Sequence, residues 1–138
     1  MSKLHITIVA GLPGSGKTTW ANQQIQLLGA TAVLVDDPSV DESTWSNVTD
    51  KHTHVFITDP HFCRSKPDTL WALVSEKLNI PVDHIDKHWV CFENDPVTCA
   101  SRSRPRTENL IEFLTKNYHI PPNALVLPIP TLTKKRQP

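Results

Sequence analysis

The sequence contains Gly11-Leu12-Pro13-Gly14-Ser15-Gly16-Lys17-Thr18, which fits the phosphate-binding loop pattern Gly-x-x-x-x-Gly-Lys-Ser/Thr. Before it, residues 3–10 form a mostly apolar, β-branched run that predicts a strand. After it, residues 16–28 carry apolar side chains at helical spacing, and Gly29 supplies a stop signal. A strand, a glycine loop and a helix in this order predict a bound nucleoside triphosphate.

Each residue type in this loop has a chemical reason to be there. The glycines let the backbone approach an anion closely, and the N–H groups at the start of the following helix point towards it. Lys17 is predicted to reach the β- and γ-phosphates, and the Thr18 hydroxyl to coordinate Mg²⁺. A plain glycine turn is the alternative. The predicted nucleotide contacts are Gly11, Pro13, Gly14, Ser15, Gly16, Lys17, Thr18 and Thr19.

Composition limits the classes of protein that this chain can belong to. Its 138 residues suffice for one domain, and its formal net charge of zero provides no global field to attract nucleic acid. The three cysteines lack metal-ligand spacing and are expected to be free thiols. No signal segment or membrane-spanning apolar run is recognisable, so a cytoplasmic protein without membrane contacts is expected.

The order of predicted elements indicates the architecture. Strands are predicted over 3–10, 31–35, 54–59, 85–92 and 124–127. Helices are predicted from Pro67 to about Asn79, from Asp95, and from Thr107 to about Tyr118, with a short one near Asp41. This alternation predicts an α/β fold, a three-layer domain with a five-stranded parallel sheet and helices on both faces. Because the first strand leads into the glycine loop, the domain is expected to be of the P-loop NTPase type. It covers residues 1–130, and 131–138 form a basic tail.

Carboxylates follow two of the predicted strands. Asp36 and Asp37 end the second strand, and Asp59 ends the third. In an open parallel sheet the ligand site lies outside the carboxyl ends of the strands. An apolar strand ending in Asp is the form of the second nucleotide motif, Walker B, so Asp59 is predicted to accept a hydrogen bond from the loop threonine or to hold Mg²⁺. Ordinary solvated polarity at strand ends is the alternative.

Three arginines stand at alternate positions around a helix breaker. Arg102, Arg104 and Arg106 flank Pro105, which makes a loop-like flap more plausible than a regular helical face. Arginines that close over a triphosphate neutralise charge during phosphoryl transfer. The alternative is a solvated basic surface.

The sequence resembles the P-loop kinases, and residues 11–21 are especially similar to the kinase domain of the bacteriophage polynucleotide kinases. The resemblance implies strand order 2-3-1-4-5, Asp36 as general base, Asp59 at the Walker B position, and Arg102 and Arg106 as lid arginines. One departure concerns the acceptor. Those kinases carry a basic residue shortly after the acidic pair, whereas an acidic stretch follows Asp37 here.

These observations favour a kinase that uses ATP and Mg²⁺ to phosphorylate a hydroxyl or phosphate acceptor, with Lys17, Asp36, Arg102 and Arg106 as catalytic residues and Thr18 and Asp59 at the metal. Nucleotides and the 5′-hydroxyl of a nucleic acid are both possible acceptors. A second hypothesis is an ATP-binding or slow ATPase module that acts on a protein partner. A third is weak nucleic-acid binding through the basic tail residues Lys134, Lys135 and Arg136.

Overall fold

A computed structural model describes residues 3–12, 15–39, 41–59, 62, 66–92, 118, 120 and 124–127. The strands are β1 (Leu4–Ala10), β2 (Ala32–Asp36), β3 (His54–Thr58), β4 (Ile85–Phe92) and β5 (Leu125–Leu127). The α-helices in this part of the chain are α1 (Lys17–Leu28) and α2 (Pro67–Leu78). Short 3₁₀ helices span Gly29–Thr31, Glu42–Asn47 and Val82–His84. The helices predicted from Asp95 and Thr107, the arginine flap and the basic tail lie outside the described residues.

The strands form one five-stranded parallel sheet in the order β2-β3-β1-β4-β5. This confirms the predicted strand order. β1 lies at the centre, hydrogen-bonded to β3 on one side and β4 on the other. Within the described ranges, neither α-helix is long and apolar enough to cross a membrane.

The two faces of the sheet carry separate groups of buried side chains. One face packs Ile6, Ile8 and Ile57 against Trp71 and Val74 of α2. On the other face, Val9, Phe56 and Phe92 belong to a cluster that includes Ala21 of α1. Because each strand alternates its side chains between faces, the sheet can be covered by helices on both sides. The three-layer architecture is therefore confirmed.

Local sequence signals explain where the helices begin and end. α1 ends at Gly29, whose φ of 83° is accessible to glycine but strained for other residues. α2 begins at Pro67 and ends before Asn79, which takes a left-handed conformation. The short helix predicted near Asp41 is a 3₁₀ helix, and the Asp41 carboxylate caps it by accepting the Ser43 N–H.

Cys91 lies within β4 and is fully buried. Burial raises the pKa of its thiol to about 11, although a hydrogen bond from the Trp89 indole opposes the shift. The thiol is therefore protonated and inaccessible at neutral pH. It lies on the α2 face of the sheet, away from α1.

We expect Cys91 to resist alkylation in the folded protein. In a Cys63→Ser, Cys99→Ser background, iodoacetamide labelling at pH 8 should be at least about 100-fold slower than in urea, because the thiolate fraction falls tenfold per unit of pKa. Rapid labelling of the folded protein, detected by mass spectrometry, would contradict this expected resistance.

Because folding raises the pKa of Cys91 from 9.0, the free energy of unfolding should fall as the pH rises from 9 through about 11.

Candidate functional site

The glycine loop connects the carboxyl end of β1 to the first turn of α1. Gly16 adopts a φ of 94° directly before the helix, so the backbone turns sharply there. The Ser15 N–H donates to the Leu12 carbonyl at 3.0 Å, which closes a tight turn. Pro13 and Gly14 lie outside the described residues. The free N–H groups at the start of α1 are therefore presented at the carboxyl edge of the sheet, where an anion is favoured.

Gly11 allows the start of the loop to pack closely against its end. A Cβ atom added at Gly11 would lie 2.3 Å from Ser15 Oγ and 3.3 Å from the Phe92 Cβ. Ser15 is fully buried, and its Oγ has no hydrogen-bond partner in the described part of the chain. A buried hydroxyl without a partner costs about 1–3 kcal/mol. A ligand with acceptor oxygens, such as a phosphate, would give this hydroxyl a partner if it reached the inside of the loop.

We expect Gly11→Ala to destabilise the protein by about 1–3 kcal/mol through overpacking. Ser15→Ala removes the atom that clashes, so the double variant should lose less stability than the sum of the single variants. Denaturant unfolding of the four proteins measures this coupling. If the two effects simply add, the close approach of Gly11 to Ser15 is not what makes glycine necessary here.

Lys17 is buried although it carries a charged side chain. Its relative exposure is 8%, and the ion pairs of the described residues do not include it. A positive side chain at a helix N-terminus fits a phosphate ligand, so Lys17 is compatible with the predicted nucleotide site, which stays a prediction.

A chain of hydrogen bonds joins the loop to the ends of two strands. The Thr18 hydroxyl in the first turn of α1 donates to Asp36 Oδ1 at 3.2 Å. The Thr58 hydroxyl, at the end of β3, donates to the same oxygen at 2.6 Å. β2 and β3 are paired so that Asp36 lies opposite Thr58. The carboxylate is thus held in a fixed position beside the phosphate-binding loop, with its second oxygen Oδ2 not used by either hydroxyl.

Asp59 directly follows the last residue of β3. Its side chain is fully buried, and Oδ2 accepts the Ser39 N–H at 2.9 Å. A hydroxyl has one proton to donate, and Thr18 gives it to Asp36. The predicted hydrogen bond from the loop threonine is therefore made to Asp36 and not to Asp59. The role of Asp59 at Mg²⁺ stays a prediction.

The structure places the other predicted residues as follows. Thr19 lies in the first turn of α1 and is exposed. Arg102 and Arg106 lie outside the described residues, as does Arg104. Sequence reasoning missed Thr58, which is buried and orients Asp36. In the sequence, Thr58 is recognisable only as a hydroxyl residue directly before Asp59. Its contact with Asp36 can be predicted once the register of β2 and β3 is known.

A cavity of about 300 Å³ is lined in part by Pro38, the second residue after Asp36. Its walls come from the segment after β2, the Glu42–Asn47 helix and α2. Lys77 and Glu42 form an ion pair across it, and the hydrogen bond to Glu42 is the main reason that the pKa of Lys77 is raised. The lining residues are Pro38, Ser39, Glu42, Trp45, Phe62, Leu73 and Lys77.

A larger cavity of about 730 Å³ has a wall formed by Leu4, His52 and Ile80. Leu4 is the first residue of β1, so this cavity opens towards the end of the sheet opposite the glycine loop. The smaller cavity is the nearer of the two to Asp36 along the chain, through Pro38 and Ser39, although Asp36 and Lys17 do not line it.

Solved structures with this arrangement of elements are similar to the chain. A fungal RNA kinase superposes with a TM-score of 0.62 at 12% identity, covering 95% of this chain and 76% of that one. A protein designated APE1195 gives 0.60 at 19% identity, covering 92% and 86%. A gluconokinase from Sinorhizobium meliloti 1021 gives 0.59 at 12% identity, covering 98% and 88%.

The chain has the P-loop NTPase fold. The similarity to these structures, together with the strand order and the glycine loop, establishes this. Kinases occur among the similar structures, but at these identities the likeness concerns the fold. No protein-family model and no curated protein sequence matches the chain.

Proposed function

We propose that this protein is an ATP- and Mg²⁺-dependent phosphotransferase of the P-loop kinase type. The observation that carries the proposal is the hydrogen-bond chain from Thr18 through Asp36 to Thr58, which lies next to the buried Lys17. It brings a phosphate-binding cation, a hydroxyl suited to Mg²⁺ and a carboxylate to one edge of the sheet. Phosphoryl transfer depends mainly on such positioning and on charge neutralisation.

Each residue has a defined part in this proposal. Lys17, with Arg102 and Arg106 from the predicted flap, would neutralise the γ-phosphate. Asp36 would accept the proton of the attacking hydroxyl group. Thr18 and Thr58 both donate to its Oδ1, and neither of them donates to Oδ2, which would take the proton. Thr18 and Asp59 would hold Mg²⁺, which supplies additional charge neutralisation at the phosphates. Asp59 is fully buried and Thr18 is partly buried, and the oxygen atoms of both side chains are ligands that Mg²⁺ prefers.

The acceptor is proposed to enter the cavity that begins at Pro38. A volume of about 300 Å³ accommodates a small hydroxyl compound or one terminal unit of a polymer. The similar structures include kinases named for RNA and for gluconate, so their names do not choose between these acceptors. Trp45 and Phe62 provide apolar walls against which a base or sugar ring could pack.

The proposal is tested by incubating the protein with Mg²⁺, γ-labelled ATP and a panel of acceptors. The panel contains 5′-hydroxyl oligonucleotides of RNA and DNA, nucleosides, nucleotides and gluconate. Transfer of label to one acceptor class is expected. ATP hydrolysis or ATP binding without any transfer would favour the nucleotide-binding module that acts on a protein partner. Absence of ATP binding would overturn both.

A further inference from the structure

Four polar side chains lie together on the sheet at the end opposite the glycine loop. His5 is on β1, His54 on β3, and Asp86 and His88 on β4. Strand register brings them together, because His5 pairs with His54 on one side and with Asp86 on the other. All four lie on the α1 face of the sheet, since each is an even number of residues from the buried Val9, Phe56 or Phe92.

Three of these side chains have the chemistry and spacing of a metal site. His5 Nδ1 lies 2.9 Å from Asp86 Oδ2, and His88 Nε2 lies 3.5 Å from the same oxygen. One ligand atom from each residue falls within 4.8 Å of the other two. Metal–ligand bonds of about 2.0–2.2 Å require neighbouring ligand atoms about 3.0–3.5 Å apart. The two separations that involve Asp86 already lie close to this range, and the two imidazole nitrogens lie within 4.8 Å of each other.

The surroundings of the cluster favour access and fixed orientation. The side chains of His5, Asp86 and His88 are 41%, 45% and 48% exposed, so an ion can reach them and water can complete its coordination. The His5 ring stacks on His54 at 4.7 Å with an interplanar angle of 12°, and on His88 at 5.8 Å. These stacked rings restrict the rotation of the imidazoles, which reduces the entropy lost on binding.

We propose that His5, Asp86 and His88 bind a divalent transition-metal ion of the Zn²⁺ class. Two imidazoles and one carboxylate suit Zn²⁺ and its first-row neighbours, whereas Mg²⁺ and Ca²⁺ prefer sites made of oxygen ligands. The site is separate from the proposed nucleotide site, since His5 precedes Gly11 by six residues of extended chain, about 20 Å. The ion joins β1 to β4, and its binding stabilises the folded protein.

The test uses the full chain without an affinity tag. Binding of Zn²⁺ is measured by competition with a chromogenic chelator, and Co²⁺ is used as a spectroscopic probe. We expect one ion per chain at this site, a visible Co²⁺ absorption band, and a raised melting temperature with Zn²⁺ but not with Mg²⁺ or Ca²⁺. His88→Ala and Asp86→Asn should each weaken Zn²⁺ binding by at least about 10–100-fold and remove the Co²⁺ band.

His84→Ala is the matched control, because His84 is exposed on the Val82–His84 helix next to β4 and is not part of the cluster. It should bind Zn²⁺ as the unaltered chain does. Circular dichroism verifies that each variant is folded, and His88→Gln supplies a second variant if His88→Ala is not. Absence of Zn²⁺ binding, or equal binding by the folded cluster variants and the unaltered chain, would overturn the proposal.

Discussion

Replacing Lys17 with methionine is expected to lower the rate of ATP-dependent phosphoryl transfer by about 10²–10³-fold or more. Lys17 is a mostly buried residue at the start of α1, where the proposed γ-phosphate contact would be made. Methionine retains an unbranched apolar stem but carries no charge, so the packing is largely preserved while the electrostatic interaction is lost. Single-turnover transfer from γ-labelled ATP measures the chemical step, and equilibrium binding of ATP measures the ground-state loss.

The same substitution is expected to leave the stability of the protein without nucleotide nearly unchanged. Methionine retains the buried stem of the side chain, and the ion pairs of the described residues do not include Lys17, so none of those pairs is lost. Excess Mg·ATP should then stabilise the unaltered protein more than the variant. Activity that falls while stability is retained distinguishes the loss of a functional charge from the loss of the fold.

Lys51→Met is the control for this experiment. Lys51 is exposed in the turn before β3, so its replacement removes one positive charge without touching the loop. It should change neither transfer nor melting temperature appreciably. If Lys17→Met transferred phosphate at the rate of Lys51→Met, the loop lysine would have no role in catalysis and the proposed function would be wrong.

The central elements were predictable because their signals are local. The apolar run before the glycine loop gives β1, and Gly29, Pro67 and Asn79 mark helix ends through their own backbone preferences. The strand order was predicted through the resemblance to P-loop kinases, and the pairing of β1 with β3 and β4 confirms it. The length of the Glu42–Asn47 helix and its 3₁₀ geometry depend on packing around Trp45. This packing involves residues distant in the chain, so the local sequence does not predict it.

The contacts within the site were less predictable because they depend on register. Asp36 and Asp59 both follow strands, and the sequence does not say which of them faces Thr18. The answer comes from the alternation of side chains: Asp36 and Thr58 share the α1 face, and Asp59 is the next residue along. The histidine cluster was missed for the same reason. His5, His54 and His88 are far apart in the chain and meet only when three strands are aligned.

Replacing Asp36 with asparagine is expected to reduce phosphoryl transfer by about 10²–10⁴-fold, the usual contribution of a general base. The amide oxygen of asparagine can still accept hydrogen bonds from Thr18 and Thr58, so the fold should be retained. The amide cannot accept a proton from the acceptor hydroxyl. ATP binding should therefore remain close to that of the unaltered protein, while transfer measured under saturating ATP and acceptor falls.

Substitutions at Thr58 test whether the orientation of Asp36 matters for its role as the base. Thr58→Ser keeps the hydroxyl that donates to Asp36, whereas Thr58→Val keeps the shape and removes the donor. If Asp36 must be held in place to act as the base, Thr58→Val should lower transfer by about 10-fold and Thr58→Ser should not. Equal rates for these two variants would show that the hydrogen bond from Thr58 does not position the base.

Asp59→Asn decides between the two carboxylates for the metal. Asp59 is buried and accepts the Ser39 N–H, which an asparagine oxygen can also do. If Asp59 holds Mg²⁺, its replacement should raise the Mg²⁺ concentration needed for half-maximal transfer, while Asp36→Asn leaves that concentration unchanged. If Asp36→Asn alone shifts the Mg²⁺ requirement, then Asp36 is the metal carboxylate. The hydrogen bond from Thr18 to Asp36 would then belong to the Mg²⁺ site. A group other than Asp36 would have to take the proton of the acceptor hydroxyl.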